Sequence, residues 1–319
     1  MRLSTAHIRY FVFMVVVAYA GVLSAQTFPS KHIRIVAAAV GGGNDLAARI
    51  VAQKLSGAMG QPVIVENRGS IGSEIVSKAT PDGYSLLFYS SSLWISPYLR
   101  DLPPFDARRD FTPIGLSALS PNILVVHPLL PLKTLNDLIA LAKAQPGVLN
   151  YGSSSTGSAQ HLAAELLKSM AGINIVRIGY KGTGPGLNAL LGNEVQLSFA
   201  TPGSVTAHIK SGRLRALGVT SAERSALVPD LPTLAASGLP GYEMTSIYGM
   251  FAPPKTPAAI VNRLSIELKG ALAAGDVKEK FLGVGMEAAS STPEEFIAII
   301  KADMTRSGKV IKDTGIRAD

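Results

Sequence analysis

Three segments of the sequence place glycines and hydroxyl residues directly before a predicted helix. The first, residues 41–43, is a glycine run between a short apolar strand and an amphipathic helix that stops at Gly60. The second covers residues 152–158 and the third covers residues 180–186. Such turns leave backbone N–H groups unpaired at the positive end of a helix dipole, where a carboxylate fits. The alternative interpretation is a tight turn that binds nothing.

The residues after the first glycine run predict how that helix begins. Asn44 or Asp45 is expected to cap the helix, because both side chains accept hydrogen bonds from first-turn amides. Arg49 follows on the same helix and is expected to be structural.

The same loops do not match the common nucleotide-binding motifs. Read from Gly41, the pattern G-x-G-x-x-G fails because its sixth residue is Leu46. The pattern G-x-x-x-x-G-K-[ST] does not occur in the sequence. We therefore expect no nucleotide and no other cofactor.

Ser154 and His161 are close enough in sequence to suggest nucleophilic catalysis. A nucleophile elbow needs G-x-S-x-G, and the residue at the last position is Thr156. Lys181 could attack a carbonyl as a buried amine, but in a glycine loop it is more often a solvated cation. His161 falls in the first turn of a predicted helix, where capping or solvent exposure is the usual explanation. The sequence predicts a binding protein that is not an enzyme.

Metal binding and nucleic-acid binding have little support. The five histidines show no metal-ligand spacing, and the sequence has no cysteine. The formal net charge is +8, but its basic residues are scattered and form no run. We therefore expect no metal and no nucleic-acid partner.

The N-terminus has the order of a secretory signal. Two arginines precede an apolar run over residues 10–23, and small residues follow. Cleavage is predicted after Ala25, which makes residues 1–25 the signal peptide; cleavage after Ala20 and a retained anchor are the alternatives. Without cysteine there is neither a disulfide nor a lipid-anchored Cys. We predict a soluble protein of the periplasm.

Strands and helices alternate along the rest of the chain, which predicts α/β lobes with parallel sheets flanked by helices. Two extended segments, near residues 123–126 and 246–251, are predicted to cross between two lobes. The first lobe would comprise residues 26–122 and 247–319, and the second lobe residues 123–246. Two C-terminal helices, residues 257–274 and 293–312, are expected to pack on the first lobe, the latter with a capping box at Thr292 and Glu295.

Eight short motifs, spread over nearly the whole predicted mature chain, occur together in one order. They are VAAAVGGGNDLAAR (36–49), QPVIVENR (61–68), PDGYSL (81–86), NYGSSSTGSAQHLAAEL (150–166), YKGTGP (180–185), LLGNEVQ (190–196), LRALGVTS (214–221) and PDLPTLAASGL (229–239). In these motifs the chain resembles the extracytoplasmic solute receptors of tripartite tricarboxylate transporters, often called Bug receptors.

The resemblance implies a two-lobed periplasmic-binding-protein-like fold, joined by two crossing strands, with a small carboxylate held between the lobes. It implies a monomer that hands a di- or tricarboxylate, or a related organic acid, to integral membrane transporter subunits. Some members of the family are thought to act as signalling receptors instead. The alternatives for this chain are an exported hydrolase such as an esterase, from another class, and a ligand-sensing partner of a membrane signalling kinase.

The ligand-binding residues that these arguments predict come from the glycine and serine loops and from strand ends, where ligands of such sheets bind. They are Ala38, Val40, Gly41, Gly42, Gly43, Asn44, Asp45, Ser90, Ser91, Ser153, Ser154, Thr156, Gly157, Ser158, His161, Lys181 and Thr201. The chain lacks the family's Pro before the glycine loop, its longer segment after Arg68 and its frequent Asp near Thr201. These departures concern the ligand more than the fold.

Overall fold

A computed structural model describes residues 28–38, 40–100, 105–154 and 156–317. The predicted signal peptide lies outside these residues. In chain order the elements are β1 (Ile33–Ala37), α1 (Gly43–Met59), β2 (Val63–Asn67), a 3₁₀ turn (Gly69–Ile71), α2 (Gly72–Ser77), β3 (Ser85–Ser90), α3 (Ser92–Leu99), β4 (Thr112–Pro121), β5 (Ile123–Val126), α4 (Leu135–Ala144), β6 (Asn150–Ser153), α5 (Ala159–Ala171), β7 (Val176–Gly179), α6 (Thr183–Leu191), β8 (Leu197–Ala200), α7 (Pro202–Lys210), β9 (Arg215–Val219), β10 (Thr245–Ala252), α8 (Ala258–Ala273), α9 (Gly275–Gly283), β11 (Glu287–Ala288) and α10 (Pro293–Thr314).

The strands form two mixed sheets, each the centre of one lobe. The first lobe has a six-stranded sheet in the order β11-β4-β10-β3-β1-β2, and the second has a five-stranded sheet in the order β7-β6-β8-β5-β9. Strand β1 pairs in parallel with β2 and β3, whereas β10 is antiparallel to both β3 and β4. The predicted parallel pairing is found among β1, β2 and β3 and among β6, β7 and β8, but it does not extend to β5, β10 and β11, which run antiparallel to their neighbours.

The chain passes between the sheets at two adjacent places. Strand β4 of the first sheet and β5 of the second are separated only by Asn122, whose N–H donates to the Thr220 hydroxyl at 2.8 Å. On the return, the Met244 amide bonds to the Thr220 carbonyl, and Thr245 then pairs with Pro121 in the first sheet. Both crossings are thus tied to each other through Thr220.

Helix ends follow the local sequence closely. Helix α1 ends at Gly60 and α5 at Gly172, both in the left-handed conformation that glycine adopts without steric cost. The capping box predicted at Thr292 and Glu295 is present at the start of α10. The sequence did not predict α9, which begins where extended backbone at Ala274 interrupts the helical run.

Helix α10 joins the two lobes. It packs on β4 and α3 of the first lobe and on α5 of the second. One apolar cluster accordingly includes Trp94 and Phe296 of the first lobe together with Leu124 and Leu162 of the second. Within the part of the chain that the structure describes, no helix combines the length and hydropathy needed to cross a membrane.

Candidate functional site

A cavity of about 80 Å³ lies between the two lobes. Its walls come from the end of β3 and the start of α3, from the start of α5, from the second crossing and from α10. The lining residues are Ser90, Ser91, Ser92, Ile95, Gly157, Ser158, Ala159, Leu162, Met244, Thr245, Ser246 and Asp303. Four predicted site residues, Ser90, Ser91, Gly157 and Ser158, therefore meet here from opposite lobes.

The second-lobe wall is built by the N-terminus of α5. Ser158 is the N-cap, and its hydroxyl accepts a hydrogen bond from the His161 amide at 3.3 Å. The Gly157 amide donates to Nδ1 of His161 at 3.1 Å. Helix geometry leaves the amides of Ala159 and Gln160 without intrahelical partners, and Ala159 lines the cavity. The cavity therefore borders a helix end that favours negative charge.

His161 supports this helix start from inside the lobe. Its residue exposure is 5%, which rules out the solvent-exposed alternative, whereas its acceptance of the Gly157 amide is a capping contact at the helix start. Burial, together with the nearby charge of Arg177, lowers the pKa of His161 from 6.5 to about 4. The imidazole is therefore neutral at pH 7, and its Nδ1 is engaged by Gly157 rather than by a serine hydroxyl. This geometry gives the esterase alternative no Ser–His pair at Ser154.

Ser153 and Ser154 lie deeper than the cavity and border a separate void. That void measures about 10 Å³, roughly the room of one water, and its lining also includes Gln160, Gly182 and Thr183. The Ser154 amide donates to Oε1 of Gln160 at 3.3 Å. The second and third predicted loops thus meet at a space too small for an organic acid.

One amide of the glycine loop already binds a carboxylate of the protein itself. The Gly41 amide donates to Oδ2 of Asp45 at 2.9 Å, while Oδ1 accepts from Arg49 Nε at 2.8 Å and from Asn67 Nδ2 at 3.0 Å. The N-cap is Gly42, with no side-chain cap hydrogen bond, so the prediction that Asn44 or Asp45 caps α1 was wrong. The reason is that Asp45 lies within the first turn and its carboxylate reaches back to Gly41.

The charge state of Asp45 follows from these contacts. Burial raises the pKa of its carboxyl, but hydrogen bonds from Gly41 and Asn67 and the charge of Arg49 outweigh burial, so the pKa lies below its ordinary value. Arg49 is structural, as predicted, because it completes this network.

The glycine loop lies one layer away from the cavity. A Cβ on Gly43 would come within 2.7 Å of the Tyr248 hydroxyl, and Tyr248 pairs with Ser90 across the sheet. In the same loop, the Ala38 carbonyl accepts from Asn67 at 3.0 Å, whereas Val40 is 76% exposed. Ligand contacts for this loop, including Gly42 and Asn44, stay a prediction.

The remaining predicted residues are dispersed around the second lobe. Thr156 accepts a hydrogen bond from Arg177 at 3.2 Å, and Thr201 is the N-cap residue of α7. Lys181 is exposed. None of these three lines the 80 Å³ cavity.

Sequence reasoning missed the acidic residue of the cavity. Asp303 is 1% exposed; its Oδ2 accepts from Trp94 Nε1 at 2.8 Å and its Oδ1 from Arg306 at 3.1 Å. Arg306 also pairs with Glu243, which precedes the second crossing. No local pattern could have found this group, since Trp94 and Asp303 are 209 positions apart.

A larger cavity of about 380 Å³ lies beside the crossings, outside the predicted loops. Apolar side chains such as Leu116, Ile247 and Ile299 form much of its wall. Its charged lining residues are Glu223, Arg224, Glu243, Glu287 and Arg306, in which acidic groups outnumber basic ones. The smaller cavity carries the same excess of one negative charge, from Asp303, so the two cavities differ instead in that the larger one borders none of the predicted binding loops.

Metal-ligating side chains are dispersed as well. Within the described ranges, no three His, Cys, Asp or Glu side chains come together as a metal site.

Two α/β lobes joined by two crossings, with a cavity between them, define the fold of the periplasmic solute-binding proteins. The chain belongs to the tripartite tricarboxylate transporter receptor family, whose sequence profile, "Tripartite tricarboxylate transporter family receptor", matches residues 47–316. The resemblance inferred from the motifs is thereby confirmed. Receptors of this family are periplasmic, extracytoplasmic proteins.

Relatives of known sequence and structure cover nearly the whole chain. BugT of Bordetella pertussis (strain Tohama I) is 34% identical over 313 residues, which cover 96% of this chain and 96% of BugT. The structure "R. palustris Rpa4515 with adipate" has a TM-score of 0.78 and 32% identity, covering 91% of this chain and 99% of that one. MatC (Rpa3494) of Rhodopseudomonas palustris with bound malate has a TM-score of 0.72 and 26% identity, covering 89% and 100%.

Proposed function

We propose that this protein captures a small organic carboxylate in the cavity between its lobes and delivers it to the integral membrane subunits of a tripartite transporter. The observation that carries the proposal is the meeting of Ser90 and Ser91 with the N-terminus of α5 in one cavity. Hydroxyl and amide donors hold a carboxylate by charge-assisted hydrogen bonds, and enclosure between lobes strengthens them. Relatives that bind adipate and malate support the same ligand class.

The carboxylate is proposed to lie at the start of α5, where Gly157, Ser158 and the free first-turn amides face the cavity. Ser90 and Ser91 would contact the ligand from the first lobe. The glycine loop before α1 would approach it from beyond Tyr248 when the lobes close further. The lobes would rotate about the crossings at Asn122 and Met244, because each crossing is a single stretch of backbone between the two sheets.

The protein is proposed to work by binding and release, without turnover of its ligand. No side chain in the cavity forms an activated nucleophile, and the neutral His161 is held by Gly157. Export by a signal peptide over residues 1–25 and a monomeric state complete the proposal.

A thermal-shift screen of the purified mature protein tests the proposal. The screen compares mono-, di- and tricarboxylates and aromatic acids with their uncharged amides. A ligand at a hundred times its Kd stabilises the folded state by about 2.7 kcal/mol, which is easily measured. Stabilisation by carboxylates and not by amides is expected, with the ligand recovered unchanged by NMR.

A matched pair of variants locates the binding. Ser90→Ala removes a hydroxyl from the cavity and should weaken binding of the best carboxylate. Ser77→Ala removes a hydroxyl that bonds within α2, outside the cavity, and should leave binding unchanged. If no carboxylate stabilises the wild-type protein, or if a ligand is consumed, the proposed function is wrong.

A further inference from the structure

Arg177 lies on β7, the edge strand of the second sheet, and reaches under the loop that precedes α5. Its Nε donates to the Ser153 hydroxyl at 2.8 Å and its Nη2 to the Ser154 carbonyl at 2.8 Å. Its Nη1 donates to the Thr156 hydroxyl at 3.2 Å. One guanidinium therefore bonds to three residues at the end of β6 and in the loop that precedes α5.

In the part of the chain that the structure describes, the positive charge of this guanidinium is not balanced by a hydrogen-bonded carboxylate. All three acceptors are neutral oxygens, and Arg177 takes part in no ion pair among the described residues. The carboxylate of the neighbouring network, Glu165, is instead committed to Lys168 at 2.8 Å and to the Tyr151 hydroxyl at 2.6 Å. A half-buried cation with only neutral partners is costly unless an anion comes near it.

The same loop leads directly to the proposed carboxylate position. Thr156 is followed by Gly157 and Ser158, which line the cavity between the lobes. Beside this loop, burial and the charge of Arg177 keep His161 neutral, so His161 supplies no positive charge of its own. The guanidinium is thus the permanent cation that stands directly behind the loop.

We propose that Arg177 is the positioning residue of the ligand site. It holds Ser153, Ser154 and Thr156 in the ligand-binding conformation, and its positive charge, acting from behind the loop, attracts the ligand carboxylate. The inference rests on the proposed function, because it assumes a carboxylate at the start of α5. It assigns Arg177 no contact with the ligand.

The experiment compares the wild-type protein with Arg177→Met, Arg177→Lys and a control, Arg213→Met, which removes the same charge from an exposed position in the same lobe. Adipate, malate and adipamide, the uncharged diamide of adipic acid, are titrated by calorimetry at low and at physiological salt. Arg177→Met should raise the Kd of the better-bound acid about ten- to hundredfold, because the ligand carboxylate loses a nearby positive charge and the loop loses the hydrogen bonds that hold it. Arg177→Lys should recover part of this loss, and Arg213→Met should stay within about twofold of wild type.

Two readouts separate positioning from general structural damage. The preference for adipate over adipamide should shrink in Arg177→Met, since only the charged ligand responds to the lost charge. Amide hydrogen exchange of residues 153–158, measured without ligand, should accelerate in Arg177→Met and not in Arg213→Met. If Arg177→Met fails to fold by circular dichroism, Arg177→Gln is judged by the same criteria.

The outcomes are distinct. Unchanged loop exchange, a Kd within twofold of wild type, or equal weakening of adipate and adipamide would each overturn the role of Arg177. Absence of carboxylate binding by the wild-type protein would instead overturn the proposed function, and the exchange measurement would still decide whether Arg177 holds the loop.

Discussion

Gly157 of the second lobe lies directly against Leu99 of the first, so closely that a Cβ on Gly157 would be 2.1 Å from Cδ1 of Leu99. The backbone of Gly157 also has a φ of +73°, in the left-handed region that favours glycine. A second close approach between the lobes joins Gly203 and Gly285, where a Cβ on Gly285 would lie 3.1 Å from the Gly203 nitrogen. Glycines thus allow the lobes to touch on both sides of the cleft.

The first prediction concerns Gly157→Ala. The new methyl group must displace the Leu99 side chain at the contact between the lobes. We expect this to make the closed arrangement less populated and to raise the apparent Kd in proportion, by about tenfold if closure falls to a tenth. Calorimetric titration with the best carboxylate measures the effect.

Two further variants serve as controls for that change. Gly172→Ala introduces a Cβ at a φ of +61° in the same lobe, with nothing within 4 Å, and should affect stability but not affinity. The double variant Leu99→Ala/Gly157→Ala removes the contact and should regain most of the affinity. Unchanged affinity in Gly157→Ala, or no recovery in the double variant, would contradict the closure argument.

The features that the sequence predicted well depend on short stretches of chain. The capping box at Thr292 and Glu295 and the glycine stop at Gly60 each involve a few consecutive residues, so their chemistry is visible in the sequence. Strand direction was not visible. The antiparallel placement of β10 depends on a route through both lobes that no local pattern records.

The candidate site was predicted in its residue types but not in its supports. Serines and glycines before a helix are recognisable, and the structure brings Ser90 and Ser158 together. Arg177 is 21 to 24 positions from its loop partners, and in sequence it looks like any polar residue on a strand. The burial of His161 was not predicted, because it depends on the packing of the whole lobe and not on the position of the residue in its helix.

The second prediction concerns the pH dependence of stability through His161. Its pKa is about 4 in the folded protein and 6.5 when unperturbed, so the unfolded chain binds more protons between these values. Folding stability should therefore be complete above pH 6.5 and should fall as the pH drops towards 4. His161→Asn keeps an acceptor near the Gly157 amide but does not titrate.

Denaturant unfolding of the wild type and His161→Asn at several pH values checks this. The difference between the two free energies of unfolding should shift in favour of the variant as the pH falls from 6.5 to 4, and should be constant above 6.5. His208→Asn, on α7, serves as the control. A difference that does not vary with pH would show that His161 titrates normally.

The third prediction concerns the Asp45 network under the glycine loop. Asp45→Asn removes the negative charge that pairs with Arg49. It also replaces one of the two carboxylate oxygens, which accept from Gly41 and Arg49, by an amide group, and the residue is only 2% exposed. We expect a loss of about 1–3 kcal/mol of unfolding free energy. Because the pKa of Asp45 is lowered, its contribution is complete above the unperturbed value of 3.8 and is lost as the pH falls through the folded pKa.

Chemical denaturation at pH 7 and near pH 3 measures this loss, which should be larger at pH 7. Asp276→Asn is the matched control, since Asp276 pairs with Lys54 but both side chains are largely exposed. That variant should unfold at the wild-type midpoint. Equal effects of the two substitutions would mean that the Asp45 network contributes no more than a surface ion pair.

The fourth prediction uses the single tryptophan of the chain as a reporter of the cleft. Trp94 is fully buried and donates to Asp303, which lines the cavity between the lobes, so a ligand that reaches Asp303 should change Trp94 emission. Asp303→Asn breaks the ion pair with Arg306 while keeping an acceptor for the indole. Arg306 retains Glu243, so the expected destabilisation is about 2–3 kcal/mol, below that of a fully orphaned charge.

Asp313→Asn, on the same helix, removes an exposed partner of Lys309 and provides the control. When unfolding is monitored by fluorescence, the midpoint should be lower for Asp303→Asn and unchanged for Asp313→Asn. The emission change on carboxylate binding should also be smaller in Asp303→Asn than in Asp313→Asn, because the carboxylate that connects the cavity to the indole is gone. Equal stability and equal emission changes in both variants would mean that Trp94 does not report on the cleft through Asp303. Asp303 would then be only a buried partner of Arg306.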